Sequence, residues 1–331
     1  MDAQLACTEF AGALAGLPCA GATFRLAAHA RRLTAGVTLS VSGRPGVGVS
    51  TVVRALTLAG FVVPGNDGDP GDVRLRVIAE VAKPEDHAAL RAAEGPALVV
   101  FAKADLCGFD GDGPLANARL RCAELGARTG VSTRPLIGPL AVAGLDPAVL
   151  DDAMLAGLRT LVSVPADLSS VDAFVSGPHD IPVDVRARLL ERLDLFGIAR
   201  AVLELRAEPQ PDAAALRRAL RAASGIDAVC RDLELMVAEA RYRRLLMVVA
   251  DLEAMAGVDA AVAVLLDDER TVTARMAAAT AVLQTAGMSV GAPGLSEALR
   301  WQTYGEGPVT ALHRACAAEL TRGSLRMVAL R

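Results

Sequence analysis

An α/β fold, with a reduced parallel sheet in the first half of the chain and an all-helical C-terminal domain, is predicted by three observations. Short apolar runs at 37–41, 73–81 and 97–101 alternate with helical stretches, and strand, helix, strand at that spacing argues for parallel pairing with helices on the faces. From about Pro147 onward, helix periodicity and caps recur without a convincing strand. Hydrophobic residues make up 53% of the chain and aromatics only 3%, an Ala, Leu and Val surplus that helices absorb along their packed faces.

Helices are expected at 5–15 and 22–33, a buried strand at 37–41, a helix at 50–58 and a short strand at 61–63. PGNDGDPGD (64–72) is a turn by composition. VRLRVIAEV (73–81) alternates and then turns apolar, as a strand does; KPED opens a helix at 84–93; ALVVF (97–101) is a buried strand, and a last strand is expected at 134–142. Pro165, Pro178, Pro182, Pro209, Pro211, Pro293 and Pro308 then separate helices at 148–162, 183–206, 212–222, 226–256, 258–286, 295–303 and 308–321. Gly197, inside VRARLLERLDLFGIARAVLELR (185–206), predicts a plain helical hairpin. The chain thus divides into N-terminal helices (1–35), an α/β domain (36–162) and a helical bundle (163–331).

Composition narrows the function. A chain of 331 residues is ample for a large core. A net charge of -4 gives no electrostatic footprint for nucleic acid or an anionic membrane, so a small molecule or a protein partner is expected, with any membrane contact indirect. Cys7, Cys19, Cys107, Cys122, Cys230 and Cys316 have no C-x-x-C spacing and do not pair with His29, His87, His179 or His313, which predicts reduced cytoplasmic thiols and no metal cluster. The N-terminus opens with Asp2 and Glu9, unlike a signal peptide. The apolar stretch 245–266 carries Asp251, Glu253 and Asp259, so no span is predicted. Arg241, Tyr242, Arg243 and Arg244 are expected on a solvated helix face.

The stretch SGRPGVGVSTVV (42–53) follows the first strand. Against the phosphate-loop pattern G-x-x-x-x-G-K-[ST] it has Gly43, Gly48 and Ser50 in place, but Val49 stands at the lysine position. Gly43, Gly46 and Gly48 let successive backbone N–H groups turn toward phosphates, and the following helix adds its positive end. Val49 supplies no charge; Arg44, inside the loop, can swing toward phosphate. Ser50 is a magnesium candidate, although Ser50 and Thr51 at a helix start are expected to act as caps.

At the end of ALVVF the chain continues AKADL (102–106). This resembles the N-K-x-D motif of P-loop GTPases, in which the aspartate accepts from the guanine edge and the lysine stem packs on the base; Lys103 and Asp105 match, and Ala102 replaces the asparagine. The chain has only two lysines, Lys83 and Lys103. Between Thr51 and Lys103 there is no D-x-x-G, the nearest remnants being DPG at 69–71 and VVPG at 62–65, and the interval is too short, as if the first switch and a strand pair had been removed. PLAVAGLD (139–146) resembles the last guanine-binding loop without its serine. Over roughly 36–162 the chain therefore resembles a degenerate member of the translation-factor-like class of P-loop GTPases. LRAASGIDAVCRDLELMVAEARYRRLL (220–246) resembles the L-x-x-x-S-G-I-x-x-L helix that follows the GTPase domain in bacterial dynamin-like and related GTPases.

The resemblance implies a nucleotide site built on Gly43, Arg44, Gly46, Gly48, Val49, Ser50, Thr51, Lys103 and Asp105, with GTP or GDP and magnesium as the candidate ligands and no catalytic residue. The expected function is a pseudo-GTPase acting as a regulatory or scaffolding partner, for instance of a competent GTPase, since dynamin-like GTPases often occur as pairs. The alternatives are a GTPase completed in trans by a partner and a helical DNA-binding protein whose binding falls steeply with salt.

Overall fold

Five of the six residues of the ALVVFA stretch are fully buried, as a strand covered on both faces of a parallel sheet must be. The computed structural model describes residues 2–17, 23–64, 71–92, 95–108, 112–207 and 212–329. Its strands β1 (Leu39–Gly43), β2 (Val73–Ala79), β3 (Ala97–Ala102) and β4 (Thr133–Leu136) form one all-parallel sheet in the order β1-β2-β3-β4. Helices α1 (Ala3–Ala15) and α2 (Thr23–Thr34) precede it. Then α3 (Val49–Leu58) follows β1, α4 (Pro84–Arg91) follows β2, α5 (Pro114–Thr129) follows β3 and α6 (Gly138–Leu145) follows β4. The rest is helical: α7 (Asp152–Ser163), α8 (Val171–Ser176), α9 (Val183–Ala207), α10 (Ala213–Ser224), α11 (Ile226–Ala256), α12 (Ala260–Leu266), α13 (Glu269–Thr285), α14 (Leu295–Glu306) and α15 (Ala311–Ala329). The mixed α/β class with a small parallel sheet is as expected.

Several elements depart from expectation, each for a local reason. The strand expected at 61–63 is a single parallel bridge, Val62 to Thr38. The strand expected at 134–142 ends at Leu136, because Gly138 and Pro139 open α6 with proline in its first turn. The helix expected at 258–286 is two, separated at Asp267 and Asp268, where the Asp268 carboxylate accepts from the Arg270 N–H and starts α13. No hairpin forms at Gly197. The break lies at Asp194, whose φ of 59° and ψ of 172° interrupt α9, while Gly197 lies within the helix, where a Cβ would stand 2.7 Å from Leu140 Cδ1. Most of the 64–72 turn, together with Cys19, Pro209 and Pro211, lies outside the described residues.

The chain forms two compact units, Thr38–Leu233 and Met1–Val37 with Glu234–Arg331. One cut, between Val37 and Thr38, lies close to the expected end of the N-terminal helices, and the other, between Leu233 and Glu234, falls within α11. In the sheet-bearing unit, β1 sits where the chain changes direction. The Leu39 N–H donates to the Val62 carbonyl at one edge of the strand (2.9 Å), and the Thr38 carbonyl accepts from the Val73 N–H at the other (3.2 Å). Through α3 the chain therefore steps to one side of β1, then returns to build β2, β3 and β4 on the other. Right-handed crossovers place α3 on one face and α4 and α5 on the opposite one; α6 packs on α3, and α10 and α9 pack on α6.

The other unit is helical, its core running through Phe10, Leu14, Leu26, Leu245, Leu252 and Trp301. Tyr242, expected on a solvated face, is fully buried there. Of its basic neighbours, Arg243 pairs with Glu239, and Arg244 donates to the carbonyls of Arg32 (3.1 Å) and Ala35 (2.7 Å). Glu319, only 6% exposed, is gripped by both arms of the Arg275 guanidinium at 2.8 Å. The described cysteines are buried thiols, and burial pushes the Cys316 thiol up to about 12, which leaves it protonated and unreactive at neutral pH. No helix among the described residues is long and apolar enough to cross a membrane.

Candidate functional site

In open α/β sheets the ligand crevice lies beyond the carboxyl ends of the strands, at the point where strand order reverses. That point here is the end of β1, and a cleft of about 860 Å³ opens there, walled by the glycine loop, the first turn of α3, Val63, Pro64 and Arg76. Gly46 and Gly48 hold φ values of 83° and 95°, the left-handed region that glycine enters without strain. Gly43 is needed for a different reason: a Cβ there would stand 2.8 Å from the Val77 carbonyl of β2 and 2.7 Å from Val49 Cγ2. Val49, at the lysine position, therefore packs over Gly43 as an apolar plug of the loop.

Helix α3 begins at Val49 with Gly48 as its N-cap and no side-chain cap. The cap role expected of Ser50 and Thr51 is corrected: Ser50 is the second helical residue, exposed on the cleft wall, and the Thr51 methyl faces Gly138 at the start of α6. The N–H groups of the first turn have no intrahelical partner, so α3 presents donors at the cleft with the positive end of its dipole behind them. Among the described residues no cluster of His, Cys, Asp or Glu is arranged to hold a metal.

Arg44 lies within the loop, as expected, but its guanidinium is engaged. Its Nε donates to Asp86 Oδ2 at 3.1 Å, and Asp86 also receives the Arg76 Nε (3.0 Å) and Nη2 (2.7 Å) and the Lys83 N–H (3.0 Å). Asp86 is fully buried as the third residue of α4. Burial works to raise its pKa, but the Lys83 N–H and the two guanidinium groups outweigh burial and hold the carboxyl below the usual range. The sequence reading missed both Arg76 and Asp86. The available signal was the pair of arginines in VRLRVIAEV: a cation inside the second strand of a parallel sheet needs a counter-charge nearby, and KPED supplies one.

The AKAD stretch stands at the same carboxyl edge, but β2 separates it from the glycine loop. Neither Lys103 nor Asp105 lines the cleft. Lys103 is exposed and caps a 3-10 turn, Ala104–Leu106, with φ 54° and ψ 41°. Asp105 is buried, and burial, reinforced by the Asp194 carboxylate, raises its pKa although its own backbone N–H and, more weakly, Lys103 work against the rise. The residues that resemble a last guanine loop, 139–146, are not a loop: most lie in α6, with Leu140, Ala141, Val142 and Ala143 buried against the neighbouring helices. Backbone strain concentrates at this rim. The only non-glycine residues with left-handed φ among the described residues are Glu80 after β2, Lys103 after β3 and Asp194 facing Asp105, and strain of this kind gathers at ligand clamps and active sites.

Asp105 gives a direct prediction. A carboxyl whose native pKa is raised binds its proton more readily in the folded state, so its ionised form opposes folding at neutral pH. Asp105→Asn should therefore stabilise the unliganded sheet-bearing unit by about 1 kcal/mol, and the gain should shrink as pH falls and the wild-type carboxyl protonates. Urea unfolding at pH 7 and pH 4 checks both signs; a destabilised variant at pH 7 would show that the charge of Asp105 is satisfied within the fold.

No protein-family model, curated protein sequence or solved structure matches the chain.

Proposed function

We propose that the chain is a pseudo-GTPase: a degenerate guanine-nucleotide site, without hydrolytic machinery, on a protein that acts as a regulatory or scaffolding partner of another protein, such as a competent GTPase. The observation that carries this reading is the open cleft at the end of β1, where the glycine loop and the uncapped start of α3 offer donors to a phosphate group. Asp105 adds to it, as a buried carboxylate that its own backbone N–H and Lys103 offset only in part, on the same rim and able to accept from a base edge. The absence of hydrolysis follows from what the site lacks. Val49 stands where a cation would stabilise charge developing at the terminal phosphates, and no D-x-x-G lies between Thr51 and Lys103 to position a water.

Calorimetric titration with GDP, a non-hydrolysable GTP analogue and ATP tests this reading. Guanine-selective binding without turnover of GTP is expected. No heat with any of the three nucleotides, or GTP hydrolysis by the chain alone, would overturn it.

A further inference from the structure

The cleft lacks its loop lysine, yet its wall is not neutral. Ser42 and Arg76 are register partners on β1 and β2. Two corners of the Arg76 guanidinium, Nε and Nη2, are spent on Asp86 at 3.0 and 2.7 Å; the third, Nη1, points to Ser42 Oγ at 3.4 Å, on the cleft wall. Asp86 is itself fixed by the Lys83 N–H at the start of α4 and holds Arg44 on its other oxygen. Two guanidinium groups therefore share one carboxylate, and an uncompensated positive charge remains beside the glycine loop. A guanidinium braced in this way has already lost its rotamer freedom, so little is lost again when Nη1 exchanges its long Ser42 contact for a phosphate oxygen.

The same wall is a poor host for a divalent cation. Magnesium is held by carboxylates together with substrate phosphates, and no Asp or Glu lines the cleft among the described residues. Among the described residues, its side-chain oxygens are the hydroxyls of Ser42 and Ser50, and Arg76 repels a second cation.

We infer that Arg76, braced by Asp86, is the phosphate-binding cation of this site, replacing the lysine lost at Val49, and that the cleft takes its phosphate-bearing ligand as a free anion without a divalent metal. This rests on the nucleotide-site reading above and extends it to the state of the ligand. Val49→Lys returns a charge to the ordinary place, and Arg76→Lys keeps a cation on Asp86 while removing the fork that also reaches Ser42.

The test is calorimetry of the full chain with GDP and with inorganic pyrophosphate, each in excess magnesium and in excess chelator. Wild-type affinity for GDP should be equal in the two conditions within about twofold. Arg76→Gln should weaken GDP by about 10- to 100-fold, the loss of one charge-assisted hydrogen bond, and Arg76→Lys by about tenfold. Val49→Lys on the Arg76→Gln background should recover about tenfold, a rescue that a purely structural role would not allow. If Arg76→Gln fails to fold, Arg76→Lys and the magnesium comparison decide. GDP binding that needs magnesium, or that ignores both Arg76 substitutions, overturns the inference and leaves the nucleotide site standing. Absence of wild-type binding to either ligand in both conditions overturns the site itself.

Discussion

Asp86→Ala is expected to lower the unfolding free energy of the sheet-bearing unit by about 3 kcal/mol. The carboxylate is fully buried, and it accepts from the Lys83 N–H, Arg44 Nε and both Arg76 Nε and Nη2. Removing it strands two guanidinium groups against each other and deletes the cap of α4. The arginine side chains are 22% and 15% exposed, so water reaches them in part, which keeps the cost at the lower end for a broken buried pair. Because the native carboxyl titrates below its ordinary value, its stabilisation is complete above the usual carboxylate range and is lost as pH falls through the native value. The gap between wild type and variant should therefore be full at pH 7 and close below about pH 4. Hydrogen exchange at β2 and β3 amides is the proper probe, since the single tryptophan, Trp301, belongs to the other unit. A loss under about 1 kcal/mol, the range of exposed pairs, would mean that the three side chains do not act as a buried unit.

The same cluster marks how far the sequence could be read. The parallel sheet was legible because ALVVF and VRLRVIAEV are short, apolar and β-branched, and because glycines between a strand and a helix constrain the backbone whatever surrounds them. The Val49 gap was equally plain. What replaces the lysine was not, because Arg76 lies far from the loop in sequence and meets it only through the register of β1 with β2. PLAVAGLD was misread as a loop because periodicity cannot separate a short apolar helix from a strand or a turn; packing on α3 and α10 decided it. The break at Asp194 had no local signal at all, since glycine, three residues on, is the residue that sequence reasoning chooses for a left-handed φ. Gly197 serves instead for close approach, to Leu140.

Gly225→Ala should be among the most damaging substitutions of a single methyl group in the sheet-bearing unit, costing about 2–5 kcal/mol. Two independent constraints meet there. Its φ is 84°, and an added Cβ would stand 2.5 Å from the Pro135 carbonyl of β4, a backbone atom that cannot rotate away. The neighbouring residues explain the close approach. The Ser224 carbonyl accepts from the Ile137 N–H at 2.9 Å, the Ser224 hydroxyl donates to the Arg221 carbonyl at 2.7 Å and accepts from the Ile226 N–H at 3.1 Å, and Ile226 is fully buried. One turn farther along α11 than Ala228, Asp232 accepts from Ser132 Oγ (2.9 Å) and from Arg134 Nε (2.7 Å) and Nη2 (3.1 Å). The S-G-I turn thus seals the last strand of the sheet against α10 and α11, covering an edge that would otherwise expose unpaired backbone. Gly130→Ala separates the two constraints. Gly130 also has a left-handed φ, 70°, but open space where its Cβ would go, so that variant should lose only about 1–2 kcal/mol, the conformational cost alone. Equal losses in the two variants, measured by urea unfolding, would mean that the Pro135 contact relaxes freely. A markedly larger loss at Gly225 would assign the L-x-x-x-S-G-I signature to sheet closure, a role that needs no nucleotide.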